Sequence, residues 1–200
     1  MLVFRVAVLS TLVSLAAGVP AAAAQTSDGR VSVAAHVTWL HLHDLDATSV
    51  GIGGRVTVDV TRWLGLDADM SVYPNDDFSL GNFGLIYRRR RIDGFAGVLA
   101  GVRRDRVGAF AKVRPGFTHL TDRGIDCGGD VCAFVLIAPP NYGTEFALDW
   151  GGVVEFYPSA RTVARVDAGD VMIWHRAYTP PCTNCTTHNF STKIGFGVKF

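Results

Sequence analysis

From Gly29 onward the chain alternates apolar and polar side chains with a period of two rather than 3.6. In RVSVAAHVTWL (30–40), Val31, Val33, Ala35, Val37 and Trp39 fall on one side of an extended chain, with Ser32, Ala34, His36 and Thr38 on the other. The same phase organises VGIGGRVTVDV (50–60) and LGLDADMSVY (64–73). It continues through 91–102, 106–117, 145–157, 162–174 and 189–200. In the last of these, Ile194, Phe196, Val198 and Phe200 oppose Lys193, Gly195, Gly197 and Lys199. The pattern predicts eight strands, each close to the roughly 9–11 residues that carry a tilted strand across a bilayer.

The connections alternate in length. Residues 61–63, 103–105 and 158–160 read as tight turns, whereas 41–49, 74–90, 118–144 and 175–188 are longer and hold all four cysteines. Short turns at one end and long loops at the other are the plan of an outer-membrane barrel. Alternation alone does not separate inside from outside, because a secreted lipocalin-like barrel turns its apolar face inward. Two features favour the membrane. Aromatic residues gather at the strand ends, with Trp63, Phe156, Tyr157 and Phe200 near the short turns. Trp39, Tyr73, Phe117, Phe146, Trp174 and Phe190 gather near the long loops, and mid-strand Trp150 is the exception. These two sets predict interfacial girdles.

The polar phase pairs both signs. Arg55, Lys112, Arg114, Arg165, Lys193 and Lys199 accompany Asp59, Asp67, Asp69, Glu145, Asp149, Glu155 and Asp167, and they predict a lumenal charge network. Buried charges persist when paired. An Arg or Lys facing lipid at the midplane costs about 2–4 kcal/mol, which disfavours a one-residue slip of this register. The prediction is an all-β, eight-stranded antiparallel up-and-down transmembrane β-barrel. Two positions disturb it. Pro115 cannot donate to a ladder, so a bulge with Gly116 or the end of the crossing is expected there. Asp170 falls on the lipid-facing phase, which suggests a bulge at Gly169.

Residues 1–24 change the picture of the compartment. Arg5, the apolar run from Val6 to Gly18, and Ala22 and Ala24 before Gln25 read as a cleavable signal peptide. The barrel domain is then 25–200. Without the leader, 19 basic and 18 acidic residues become 18 and 18. A neutral chain has no general attraction for nucleic acid. Export brings the four cysteines into an oxidising compartment.

The stretches GGRVTVDVTRWLGLDADM (53–70) and GFAGVLAGVRRDRVGAFAKVRPGF (94–117), with a last strand ending on Phe, resemble small bacterial outer-membrane β-barrel proteins of the OmpA/OmpX-like class, the porin-family OMP β-barrel domain. The resemblance spans the mature chain. It implies an integral outer-membrane protein, and an assembly signal in the Phe200 strand read by the barrel-assembly machinery. Relatives of the OmpA type continue into a peptidoglycan-binding domain, whereas this sequence ends at the barrel, so peptidoglycan tethering is not expected.

Candidate chemistry is sparse. Cys127 and Cys132, with Cys182 and Cys185, are candidates for loop disulfides in any of three connectivities; a Cys₄ zinc site would use similar spacings. His41 and His43 share a strand face and are candidate metal ligands, although exposed imidazoles are more often solvated. The run YRRRR offers Arg88, Arg89 and Arg90 to lipopolysaccharide phosphates, for which guanidinium is well suited. His119, His175 and His188 stand near the loop ends with Ser191 and Asp122 nearby in sequence, but no partner spacing singles out a catalytic set. The sequence therefore predicts a monomeric outer-membrane barrel with a structural or surface-interaction role, in contact with lipid and lipopolysaccharide, without cofactor or catalysis. A narrow porin-like channel, a lipid-A-modifying barrel enzyme and a secreted lipocalin-like binder are the alternatives.

Overall fold

A computed structural model describes residues 30–43, 47–74, 78–80, 85–127, 143–175 and 185–200, with the backbone alone at 78–80, 85–89, 122–127 and 185. The leader at 1–24 lies outside them. The strands are β1 (Val31–Leu42), β2 (Ala47–Asp59), β3 (Leu64–Tyr73), β4 (Phe78–Leu80), β5 (Leu85–Arg104), β6 (Val107–Cys127), β7 (Gly143–Ser159), β8 (Thr162–His175) and β9 (Cys185–Lys199). The short β4 pairs with the start of β5. The other eight close a ring in chain order, because β3 pairs directly with β5 and β9 returns to β1. All pairings are antiparallel. At the seam Val37 faces Ile194, and Phe200 N–H donates to the Val31 carbonyl at 2.8 Å. Closure removes the exposed edges that an open sheet would leave.

Burial alternates along every stave. Along β1, Val33, Val37 and Trp39 are exposed while His36, Thr38 and Leu40 are buried. Ile52, on the outer wall, is 66% exposed, whereas Arg114, on the inner wall, is 0% exposed. An eight-stranded ring encloses just enough width for its own side chains, so the inward set becomes a packed core. The outward set is dominated by Val, Ile, Phe and Trp. A soluble monomer does not expose a patch of that extent to water.

The staves are longer than the alternation predicted. The 41–49 connection shrinks to 43–46, and β5 and β6 extend to 20 and 21 residues. Arg88 to Arg90 thus lie within a strand rather than a loop, with a register shift between Arg88 and Arg89. The short turns occupy 60–63, 105–106 and 160–161.

Neither expected bulge forms. Pro115 faces outward opposite Leu148; on its other side the pairing lapses between Phe95–Gly116 and Val98–Val113 and resumes in the same register. The missing N–H is absorbed as a gap in the ladder, without an inserted residue. From Phe146–Trp174 to Phe156–Ala164 the β7–β8 register runs unbroken, so Asp170 keeps its outward phase. There Asp170 Oδ2 lies 2.6 Å from His188 Nδ1, and its Oδ1 accepts the Asn189 N–H at 3.0 Å. Those contacts answer the charge that the expected bulge would have hidden.

Two girdle assignments also change. Tyr73 and Tyr157 sit on the inward phase and are buried. Their hydroxyls find Thr38 and the Arg103–Glu155 pair, and a buried phenol needs such a partner. Trp63, Phe156 and Phe200 remain exposed at the turn end, as do Trp39, Phe117, Phe146, Trp174 and Phe190 at the loop end. The Phe146 and Trp174 rings lie 5.2 Å apart.

Candidate functional site

The centre of the lumen is ionic. Five cations, Arg55, Lys112, Arg114, Arg165 and Lys193, are buried with the carboxylates of Asp67, Asp69, Asp149, Glu155 and Asp167. Strand periodicity puts them there: Asp67 and Asp69 are two apart on β3, Lys112 and Arg114 on β6, Arg165 and Asp167 on β8. The contacts cross the barrel. Arg114 joins Asp67 on one wall to Asp149 on another. Arg55 reaches Asp167, and Lys193 reaches Asp69. Arg165 grips Asp67 with two nitrogens at 3.1 and 3.2 Å and holds Asp167 through Nε at 2.9 Å. Thr57 donates to Asp67 at 2.5 Å, and Lys112 lies 2.8 Å from Asp149. Desolvating so many ions is tolerated because each one meets opposite charge and hydrogen-bonding groups.

Apolar clusters flank this centre. Leu99, Phe110 and Val153 pack toward the turn end. Leu40, Leu42, Tyr73, Phe95, Ala147, Val171 and Ile173 pack toward the loop end. Beyond the first cluster a second ionic group caps the turn end. Arg103 holds Asp59 through two nitrogens at 2.7 and 2.8 Å, and Lys199 reaches the same carboxylate at 3.2 Å. The Arg103 guanidinium lies over the rings of Phe110 and Tyr157 at 5.2 and 5.4 Å. Near the loop end Arg91 pairs with Asp93 at 2.7 Å and with Thr118 at 3.2 Å. Salt links thus span the bore in the centre, and packed apolar side chains lie on either side.

Of the residues singled out in the sequence, Arg55, Asp67, Asp69, Lys112, Arg114, Glu145, Asp149, Glu155, Arg165, Asp167 and Lys193 are buried, and Asp59 is half-buried. Glu145 stands apart from the central group, beside His175 near the loop end. Arg90 is exposed and outward, Arg91 turns inward, and the side chains of Arg88 and Arg89 lie outside the described residues. His41 and His43 are exposed, with His41 Nδ1 3.2 Å from Thr48 Oγ1. Among the described residues no group of three His, Cys, Asp or Glu is arranged to hold a metal ion. Cys127 ends β6 and Cys185 begins β9 opposite His175; Cys132 and Cys182, like the side chains of the other two, lie outside the described residues.

The sequence matches no protein-family model and no curated protein. Solved structures do match. OprG, an outer membrane protein of Pseudomonas aeruginosa, superposes with a TM-score of 0.52 at 10% identity, over 85% of this chain and 94% of its own. Ail, the attachment invasion locus protein of Yersinia pestis in complex with the heparin analogue sucrose octasulfate, gives 0.50 at 12% identity, over 85% and 96%. The fold is that of the small bacterial outer-membrane β-barrels.

On this outer-membrane barrel fold, several lumenal groups escaped the sequence reading. Arg103 had been placed in a turn, although it is two residues from inward Gly101 and four from inward Leu99. Arg91 and Asp93 share that phase too. Strand parity, carried past the point where hydrophobicity stops alternating, would have found all three.

Proposed function

We propose that the chain is an integral outer-membrane barrel, closed to diffusion, whose role is structural and surface-interactive. The observation that carries the reading is the inversion of polarity: ion pairs fill the core, and Val, Ile, Phe and Trp form the outer wall. Only an apolar solvent stabilises that arrangement, because in water the wall would drive association. The aromatic residues at both strand ends match the two interfaces of a bilayer. In this reading the leader at 1–24 is removed on export, the short turns face the periplasm, and the loop-end segments bearing Cys127, Cys132, Cys182 and Cys185 face outward, braced by disulfides. The Phe200 strand is presented to the barrel-assembly machinery, and the barrel works as a monomer. Arg88, Arg89 and Arg90 meet lipopolysaccharide phosphates at the outer interface. Ail, an attachment protein, is built on the same fold, so a surface role needs no other architecture.

A narrow channel is disfavoured by the cross-barrel links of Arg114 with Asp67, of Arg55 with Asp167 and of Lys193 with Asp69. Two measurements test the reading. The membrane fraction run on SDS gels with and without boiling should show a heat-modifiable band extracted only by detergent. The purified protein should give no steady single-channel conductance in planar bilayers. A detergent-independent soluble protein would overturn the membrane assignment, and stable conductance would overturn the closed lumen.

A further inference from the structure

The loop-end mouth holds an arrangement that a surface role does not use. Glu145 on β7, His175 on β8 and Thr187 on β9 come from three consecutive staves and share the inward phase. Thr187 Oγ1 lies 2.9 Å from His175 Nε2. The other ring nitrogen, Nδ1, lies 2.6 Å from Glu145 Oε2. That oxygen is buried with no conventionally aligned hydrogen bond, so the imidazole is its near neighbour. Asn189, two residues along β9, donates from Nδ2 to Thr187 Oγ1 at 3.2 Å and to the Val171 carbonyl at 3.3 Å.

The donor and acceptor inventory favours one arrangement of the protons. A carboxylate only accepts, so a ring turned to bond Glu145 would carry its proton on Nδ1. Nε2 is then a bare lone pair. Thr187 Oγ1 accepts from Asn189 and directs its own proton at that lone pair. The chain therefore runs Asn189 to Thr187 to His175 to Glu145, the order in which a hydroxyl nucleophile, a base and an orienting carboxylate must stand.

The other described histidines lack this order. His36 meets Ser71 at 2.9 Å and Asp69 at 3.8 Å through the same nitrogen and is sealed in the lumen. His41 and His119 face the hydroxyls of Thr48 and Thr144 rather than a carboxylate, and His43 is exposed past the end of β1. His188 has a carboxylate, Asp170, on the outer wall. His175 is the one whose two nitrogens face a carboxylate and a hydroxyl, and its side chain is 32% exposed.

We propose that Glu145, His175 and Thr187 form an acyl-transfer site for carboxylic esters at the mouth of the barrel. Thr187 Oγ bonds to the ester carbonyl carbon as its proton passes to His175 Nε2. The intermediate collapses by breaking the bond to the alkoxide, which leaves as an alcohol carrying that proton. Water, deprotonated by the same nitrogen, then attacks the acyl-threonine, releases the carboxylic acid and restores the hydroxyl. Glu145 and Asn189 are positioning residues. Leu42, Ala147 and Ile173 lie buried just inward of the site and give it an apolar floor.

The test uses the folded full-length barrel in detergent with p-nitrophenyl butyrate, read by nitrophenol release and by intact mass after acid quench. The wild type should gain one butyryl group, located on Thr187 by peptide mapping. Thr187→Val should lose both adduct and turnover, Thr187→Ser should keep them, and His175→Gln should slow hydrolysis by about 100-fold or more. Glu145→Gln should lower kcat with KM unchanged, a split that a purely structural role would not produce. The outward His188→Gln should match wild type. Gel mobility without boiling separates folding from chemistry in each variant. A wild-type barrel that folds but acquires no butyryl group at Thr187, or a folded Thr187→Val barrel that hydrolyses at the wild-type rate, would overturn the proposal.

Discussion

Arg114→Met isolates the worth of the central ion network. Arg114 is fully buried and lies within 4 Å of four carboxylates: Asp67 and Asp149 in direct contact, Asp69 at 3.7 Å and Asp167 at 3.9 Å. Methionine fills much of the side-chain volume, so the dominant loss is charge. The central balance moves from five cations against five carboxylates to four against five. Removing one partner of a buried pair typically costs about 3–5 kcal/mol. The acids keep other partners here: Arg165 at 3.1 Å on Asp67, and Lys112 at 2.8 Å on Asp149. The expected loss therefore sits at the low end, about 3 kcal/mol. The assay is equilibrium urea unfolding of the vesicle-inserted barrel, followed by tryptophan fluorescence and gel mobility. With slopes of about 1–3 kcal/mol/M, the midpoint should fall by about 1–3 M. Adding Asp149→Asn restores four against four, and the double variant should regain about 1–3 kcal/mol as coupling between touching sites. A single variant unfolding at the wild-type midpoint, or a double variant less stable than the single, would refute the account of the lumen as a compensated charge network.

Four further outcomes are expected. Ile194→Arg, on the outer wall between Phe190 and Phe200, should destabilise the vesicle-inserted barrel by about 2–4 kcal/mol; no loss there would place that face in water, and urea unfolding reads it. Gly97→Ala should cost about 1–3 kcal/mol in the same titration, because an added Cβ would meet the Val113 carbonyl oxygen at 2.2 Å. Gly152→Ala has nothing within 4 Å of its new carbon and should be neutral or slightly stabilising. Phe200→Ala should reduce the heat-modifiable band in outer membranes while the urea-refolded protein still inserts into vesicles, which separates recognition by the assembly machinery from barrel stability.

The fold was legible wherever one side of a strand meets apolar surroundings and the other does not. Along 30–40, 50–60 and 64–73 that contrast fixes strand, register and facing together. It fails above the loop-end girdle. From Arg88 to Arg90 and from Thr118 to Cys127 the chain still pairs as strand, but polar residues fall on both phases there, so the period-two signal disappears and the segment reads as loop. Residue type misled at two tyrosines, where parity was the better guide: both stand on the inward phase and take polar partners there. At Asp170 the error ran the other way, since parity was right and a bulge was invoked to escape it. The pairing of Asp170 with His188, from another strand, is tertiary information that no local pattern contains. The same holds for Glu145, His175 and Thr187, which lie 30 and 12 residues apart in the chain and meet only across three staves.

The charge links of the lumen also set an order of events. Arg55 and Asp167 are 112 residues apart, Asp69 and Lys193 are 124, and Asp59 and Lys199 are 140. Each joins an early strand to one of the last two, so an emerging N-terminal half carries charges whose partners have not yet arrived. Such a half is penalised for entering lipid alone and is kept hydrated. Loop closure over these separations is slow. Insertion and completion of the ring thus become one cooperative transition, and the arrival of the final strand serves as a proofreading step against premature burial.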